Sequence, residues 1–153
     1  MKWKQPPVAK IYEALGAVAD GRVEIDGNTA KVGSSSGNKV YDVSYDPKAN
    51  AIMANDNGSY WQGYLGYPAI VFLFSTGLLP YKSELADLLR GVKWKDVNQQ
   101  FKNDFNAAVE HILTPLGSEK RQQLKAYVAE TEAAIAKLEL NLLGKKKQPP
   151  VGY

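Results

Sequence analysis

Apolar residues at Val8, Ile11, Tyr12, Leu15 and Val18 fall three and four apart, the spacing of one helix face, and predict a helix over 8–20 closed by Gly21. The period then shortens. Segments 22–25 and 29–32 flank Asp26-Gly27-Asn28, and the Asp-Gly pair predicts a tight hairpin because glycine accepts a positive φ without steric cost. After a Ser/Gly link over 33–37, Tyr41, Val43 and Tyr45 alternate with Asp42 and Ser44 as in a half-buried strand. Asp46-Pro47 turns the chain into a fourth strand over 51–54. Segment 55–67 has no period and contains Gly58, Gly63 and Gly66, which predicts an irregular loop. Pro68 suits the first position of an apolar helix that Gly77 and Pro80 end, and Ser83 is placed to cap a short helix over 84–90.

From Lys95 onward, Val97, Phe101, Phe105, Ala108 and Ile112 mark one face of a long helix broken at Thr114-Pro115-Leu116-Gly117. Ser118 is read as the cap of the last helix, where Leu124, Val128, Thr131, Ile135, Leu138 and Leu142 form the seam of an antiparallel pair. The predicted fold is α+β: an N-terminal helix, a small antiparallel sheet of about four strands, a buried helix and a C-terminal antiparallel helical hairpin. The chain reads as a single domain over 1–153, with an α+β part over 8–91, the hairpin over 92–143 and a flexible basic tail over 144–153.

Composition narrows the chemistry. The chain has 153 residues, 44% hydrophobic and 23% charged, which suits one domain with its own core. It has no cysteine and one histidine, which excludes disulfides, thiol nucleophiles and a thiolate- or histidine-based zinc cage within one copy. No cofactor is expected. A net charge of +3 permits an acidic partner or nucleic acid without demanding one. The apolar run over 68–79 contains Ser75, Thr76 and Gly77 and falls short of the ~20 residues of a membrane-spanning helix. No apolar stretch of the export type follows the basic first residues, so a cytoplasmic protein with no membrane partner is expected.

His111 lies near a helix end, where the dipole favours a cation, and a capping role is expected; no residue is assigned to catalysis. Asn55-Asp56-Asn57-Gly58 lacks the acidic alternation of a calcium loop, and Gly63-Tyr64-Leu65-Gly66 lacks the lysine of a phosphate loop. Tyr60, Trp61, Tyr64 and Tyr67 are the most informative cluster: four rings that either plug the gap between sheet and helices or form a platform for a ligand or partner. Lys2-Trp3-Lys4 and Lys93-Trp94-Lys95, with Lys145, Lys146 and Lys147, combine rings with cations as single-stranded nucleic acid binding requires. Leu140 and Leu143 fall off the helical seam and are assigned to self-association through the C-terminal helices. The pentapeptide Lys-Gln-Pro-Pro-Val occurs twice, at 4–8 and 147–151, either by chance in two basic tails or as one extended docking peptide used twice.

From Arg22 to Leu73 the order of hairpin, Ser/Gly segment, Tyr-x-Val-x-Tyr-Asp strand at 41–46, short strand, loop and apolar helix resembles a SWIM-type zinc-finger module. The positions matching that family's metal ligands are Met53, Asn55, Tyr67 and Ala69, the last followed by Ile70, and none of them ligates zinc. The resemblance therefore implies binding to DNA or protein partners with no metal, the aromatic loop pinning helix to sheet instead. Two functions follow from the sequence. The first is a non-enzymatic binding or assembly protein that contacts nucleic acid or a protein partner. The alternative is a small-molecule binder or enzyme whose pocket is formed by the 55–67 loop, with Asp56, Asn57 and Gln62 converging on the rings.

Overall fold

The computed structural model describes residues 1–151. Helix α1 (Val8–Ala19) runs through the middle of the molecule and buries residues on almost every side, among them Ile11, Leu15, Ala14 and Ala17. Its four small alanines at 9, 14, 17 and 19 allow this, because a helix without bulk can be approached from several directions. Strands β1 (Val23–Asp26), β2 (Thr29–Gly33), β3 (Val40–Asp46) and β4 (Ala51–Ala54) follow as an antiparallel meander, Gly27 taking φ +60 in the first turn. Ala30, Val32, Tyr41 and Val43 point inward while their neighbours face out, the alternation a one-sided sheet requires. Helix α2 (Tyr67–Ser75) packs against α1 and the sheet and buries 68–74 completely. Pro68 sits one position inside its start.

The α+β class holds, and the structure corrects its details. A fifth strand, β5 (Asn141–Leu142), pairs parallel with β4, so the sheet is mixed, in the order β1-β2-β3-β4-β5. The last helix, α6 (Ser118–Leu138), stops before Leu142 because Glu139 turns left-handed at φ +47. There the Asn50 side chain donates to the Leu138 carbonyl at 2.9 Å and the Asn141 N–H donates to the Asn50 carbonyl at 2.9 Å, drawing the chain onto the sheet edge.

The long helix expected from Lys95 is two helices, α4 (Trp94–Gln100) and α5 (Phe105–Leu113), separated by Lys102 and Asn103 at φ +52 and +62. The Asp104 carboxylate accepts from the Ala107 N–H at 3.2 Å and caps α5, which stabilises the break. Ser83 and Ser118 begin α3 (Ser83–Ala86) and α6 rather than capping them; Lys82 and Gly117 stand at the caps, without side-chain bonds. Helix α3 tightens into a 3₁₀ turn at Asp87–Leu89. Both α5 and α6 pack on α1. The irregular loop contains one turn of π-helix, Gly58–Gln62, ended by Gly63 at φ +76.

The N-terminus is pinned to both the sheet and the loop. Trp3 donates its backbone N–H to the Leu140 carbonyl at 3.0 Å and its indole N–H to the Ile52 carbonyl at 2.8 Å, while Lys4 pairs with the loop through Gly63 and Leu65. Among the described residues no helix is long and apolar enough to cross a membrane.

Candidate functional site

A cavity of about 1000 Å³ opens between α1, α4, the 34–39 turn, the inner end of β3 and the 56–67 loop. Its charged floor comes from α1. Lys10 and Glu13, one turn apart, lie 3.0 Å from each other with 13% and 7% of their side chains exposed. The Lys10 ammonium also sits 4.4 Å from the centre of the Phe105 ring. Burial, the largest single influence on Lys10, works to lower its pKa, but attraction to Glu13, Tyr64 and Asp56 outweighs it and the pKa is raised. The lysine is therefore a fixed cation. The ammonium is the one polar partner of Glu13 Oε2 among the described residues.

One unpartnered atom stands in the wall and another in the apolar core behind it. Trp94 and Asn98 are four residues apart, on one face of α4, and both are buried. Trp94 Nε1 packs over Gly16, where a Cβ would come within 3.2 Å of it, and finds no acceptor; Asn98 Oδ1 finds no donor.

The loop supplies the rest. Asp56 is buried and its carboxylate accepts from the Ser59 N–H at 3.2 Å and the Ser59 hydroxyl at 2.6 Å, while Gly66 donates its N–H to Ser59 Oγ at 3.1 Å. Burial pushes the Asp56 pKa up, against the pull of Ser59 and Lys10. Two glycines permit this closeness: a Cβ on Gly66 would land in the Asp56 carboxylate, and one on Gly58 would land in the Tyr64 ring. Tyr67 meets Tyr41 edge to face at 5.9 Å, and burial raises the pKa of Tyr41, Tyr64 and Tyr67 alike, so all three remain neutral hydroxyl donors.

Of the four rings singled out in the sequence, Trp61, Tyr64 and Tyr67 line this cavity, Trp61 being 68% exposed at its rim. Tyr60 stands behind them, edge-on to Trp61 at 4.7 Å. Asp56, Asn57 and Gln62 line it too. The lysine–tryptophan segments come out differently. Trp94 is 2% exposed, so its ring is not free to stack on a base, which corrects its assignment as a nucleic-acid platform; Trp3 is half-buried with its indole N–H bonded. Lys93 donates to the Ser35 carbonyl at 3.2 Å, and Lys95 lines the cavity with its backbone N–H bonded to Ser35 Oγ at 3.2 Å. Lys145 and Lys147 are exposed; Lys146 is half-buried, its ammonium close against Gly63.

Leu140 belongs to the core at 5% exposure and is not a free interface residue, since β5 carries it under the sheet edge. Leu143 is half-buried, its N–H donated to the Ile52 carbonyl at 3.2 Å. His111 is exposed, tilted against Phe101 at 5.2 Å between ring centres. Of the positions matched to the zinc-finger ligands, Met53 and Ala69 are buried and Asn55 accepts from the Asp42 N–H at 2.8 Å. Among the described residues no three acidic or histidine side chains gather as metal ligands do.

Lys10, Glu13 and Asn98 were not singled out in the sequence. One signal for the first two is there: Lys10 and Glu13 are the only charges in α1, three residues apart in a helix otherwise made of apolar and small residues.

The chain belongs to the family described as uncharacterised conserved protein UCP014422. The family model matches residues 3–141, a span that takes in every cavity residue named above. No curated protein and no solved structure matches the chain.

Proposed function

We propose that this chain is a binding protein for a small polar ligand held in the cavity between α1, α4 and the 56–67 loop. One observation carries the reading: a buried ion pair, Lys10–Glu13, and a buried amide oxygen without a donor, Asn98 Oδ1, stand in the wall of the same cavity. A buried acceptor without a partner costs about 1–3 kcal/mol, and one beside a buried ion pair in a cavity wall is retained where a ligand or its waters complete it. The surroundings suit that role. Three neutral tyrosine hydroxyls and several amides offer hydrogen bonds, the Lys10–Glu13 pair offers one charge of each sign, and the rings offer broad contact at low entropic cost. Nucleic acid as the main ligand is disfavoured by the burial of Trp94.

The test is a thermal-shift panel of sugars, nucleosides, amino acids and short peptides at millimolar concentration, followed by titration of each hit against Glu13→Gln and Asn98→Leu. A ligand present at 100 times its Kd stabilises the fold by about 2.7 kcal/mol, so a true ligand raises Tm by several degrees. Both variants are expected to bind at least tenfold more weakly. A panel without a single shift, or hits indifferent to both substitutions, overturns the proposal.

A further inference from the structure

The two copies of Lys-Gln-Pro-Pro-Val lie at opposite ends of the sequence, yet the same proline of each copy, Pro7 and Pro150, stands in the wall of the one cavity. The first copy is built in. Lys4 pairs with the 63–65 backbone, donating to the Gly63 carbonyl at 3.0 Å and accepting from the Leu65 N–H at 3.1 Å, while Gln5 reaches the Glu132 carbonyl at 2.9 Å. Pro6 is buried, and Pro7 holds φ −57 and ψ 144, the extended left-handed geometry of proline-rich peptides, before α1 begins.

The second copy arrives from the other side. Lys146 comes to rest against the same Gly63 that binds Lys4, and Pro149 and Pro150 are half-buried although they belong to neither helix nor strand. Nothing in the fold needs this placement. Among the described residues the last helix or strand ends at Leu142. The cavity that Pro150 borders also holds the rings an extended proline segment needs: Trp61 at the rim, with Tyr64 and Phe105 in the wall.

We infer that the cavity recognises an extended Lys-Gln-Pro-Pro-Val-type peptide through its proline pair, and that the chain's own Pro149 and Pro150, the half-buried residues of an otherwise exposed 147–151 segment, are a replaceable occupant at the edge of that site. The inference rests on the reading of the cavity as a ligand site and names the ligand class. A tethered segment competes at an effective concentration of about millimolar, so the intact protein masks its site and an outside peptide binds weakly until the tail is released.

The experiment uses the full chain and a full-chain variant, Pro149→Gly with Pro150→Gly, which removes the extended bias and the wall contact of the tail while leaving residues 1–148 untouched. Binding of a fluorescent Lys-Gln-Pro-Pro-Val peptide is followed by anisotropy. The released variant is expected to bind about tenfold more tightly than the parent, in line with an internal competitor. Adding Trp61→Ala, a change at an exposed rim position, is expected to cancel that gain. A Lys-Gln-Ala-Ala-Val peptide is the specificity control. Equal affinity of parent and released variant overturns tail occupancy; equal binding of the alanine peptide, or no binding to the released variant at millimolar peptide, overturns proline recognition. If a sugar or nucleoside from the panel binds while the peptide does not, this inference fails and the ligand-site reading stands. If neither the peptide nor any panel member binds the released variant, the ligand-site reading fails as well.

Discussion

Helix α1 looks into two different interiors. On one side Ile11 and Leu15 join the apolar core, where 68–74 of α2 bury every side chain and leave no charge. On the other, the Lys10–Glu13 pair faces the cavity, with the unpartnered Asn98 Oδ1 in its wall. The first interior meets the demands of burial within the chain, with the Trp94 indole N–H as its exception. The second leaves demands open, and a fold tolerates open demands where a ligand meets them. Substitutions on the two sides should therefore act on different properties.

The largest effect is expected on the apolar side. Phe72 is 1% exposed and tilted against Tyr45 at 5.5 Å between ring centres. Phe72→Ala should cost about 3–5 kcal/mol in urea denaturation, from lost transfer free energy and the cavity left behind. A loss under 1 kcal/mol would show that α2 is less tightly packed than its burial implies.

Between the two interiors stands Gly66, whose φ of −76 any residue can adopt. The cost of Gly66→Ala therefore comes only from the Asp56 carboxylate that occupies the space of the new Cβ. A loss of about 1–3 kcal/mol is expected, together with weaker ligand binding, because the displaced aspartate and Ser59 hold the loop that carries Tyr64 and Tyr67. Calorimetry and ligand titration on the same variant check both halves. A stability loss with unchanged binding would separate the loop from the site.

How much of each interior is legible in the sequence follows from the same division. The apolar side declares itself locally: the 3.6-residue period of α1, the Asp26-Gly27 turn, the four-residue strand at Ala51–Ala54 and the unbroken run after Pro68 all appear in place. The elements that escape local reading are set by partners distant in sequence. The two residues of β5 have no strand signal of their own and owe their pairing to β4, Asn50 and the N-terminal segment. The break at Lys102 and Asn103 interrupts an apolar period that continues across it, so periodicity reads straight through. The cavity divides the same way. Its aromatic half comes from consecutive residues of one loop, whereas its charged half needs α1, α4 and the 34–39 turn brought together, and isolated charges on helices read as solvated until that packing is known.

On the polar side the sign of the stability effect should reverse. Asn98→Leu removes a buried oxygen that has no donor and keeps a side chain of similar size. Without ligand, the variant should be as stable as the parent or more stable by up to about 1 kcal/mol, because an unmet desolvation cost disappears. Binding should fall at the same time. A variant destabilised by more than 2 kcal/mol in the absence of any ligand would mean that Asn98 serves the fold, and the contrast between the two interiors would collapse on that side.

The smallest effect expected is a slope with pH. Burial raises the Asp56 pKa above its ordinary value of 3.8, with the Ser59 bonds and Lys10 opposing the shift. The folded state therefore holds this proton more tightly than the unfolded chain. Stability from that source is fully present below pH 3.8 and is lost as the pH rises through the higher folded value; beyond it the difference stays constant. Asp56→Asn carries no proton to lose and retains a side-chain oxygen for Ser59, so subtracting its stability curve from the parent's cancels every other titrating group. The parent should lose stability relative to the variant as pH climbs from 3.8 toward neutrality, by an amount set by the pKa difference at about 1.4 kcal/mol per unit. A flat difference would mean that the Ser59 bonds and Lys10 fully offset burial. A rise instead of a fall would mean that they outweigh it, and Asp56 would then belong with the satisfied interior despite its place in the cavity wall.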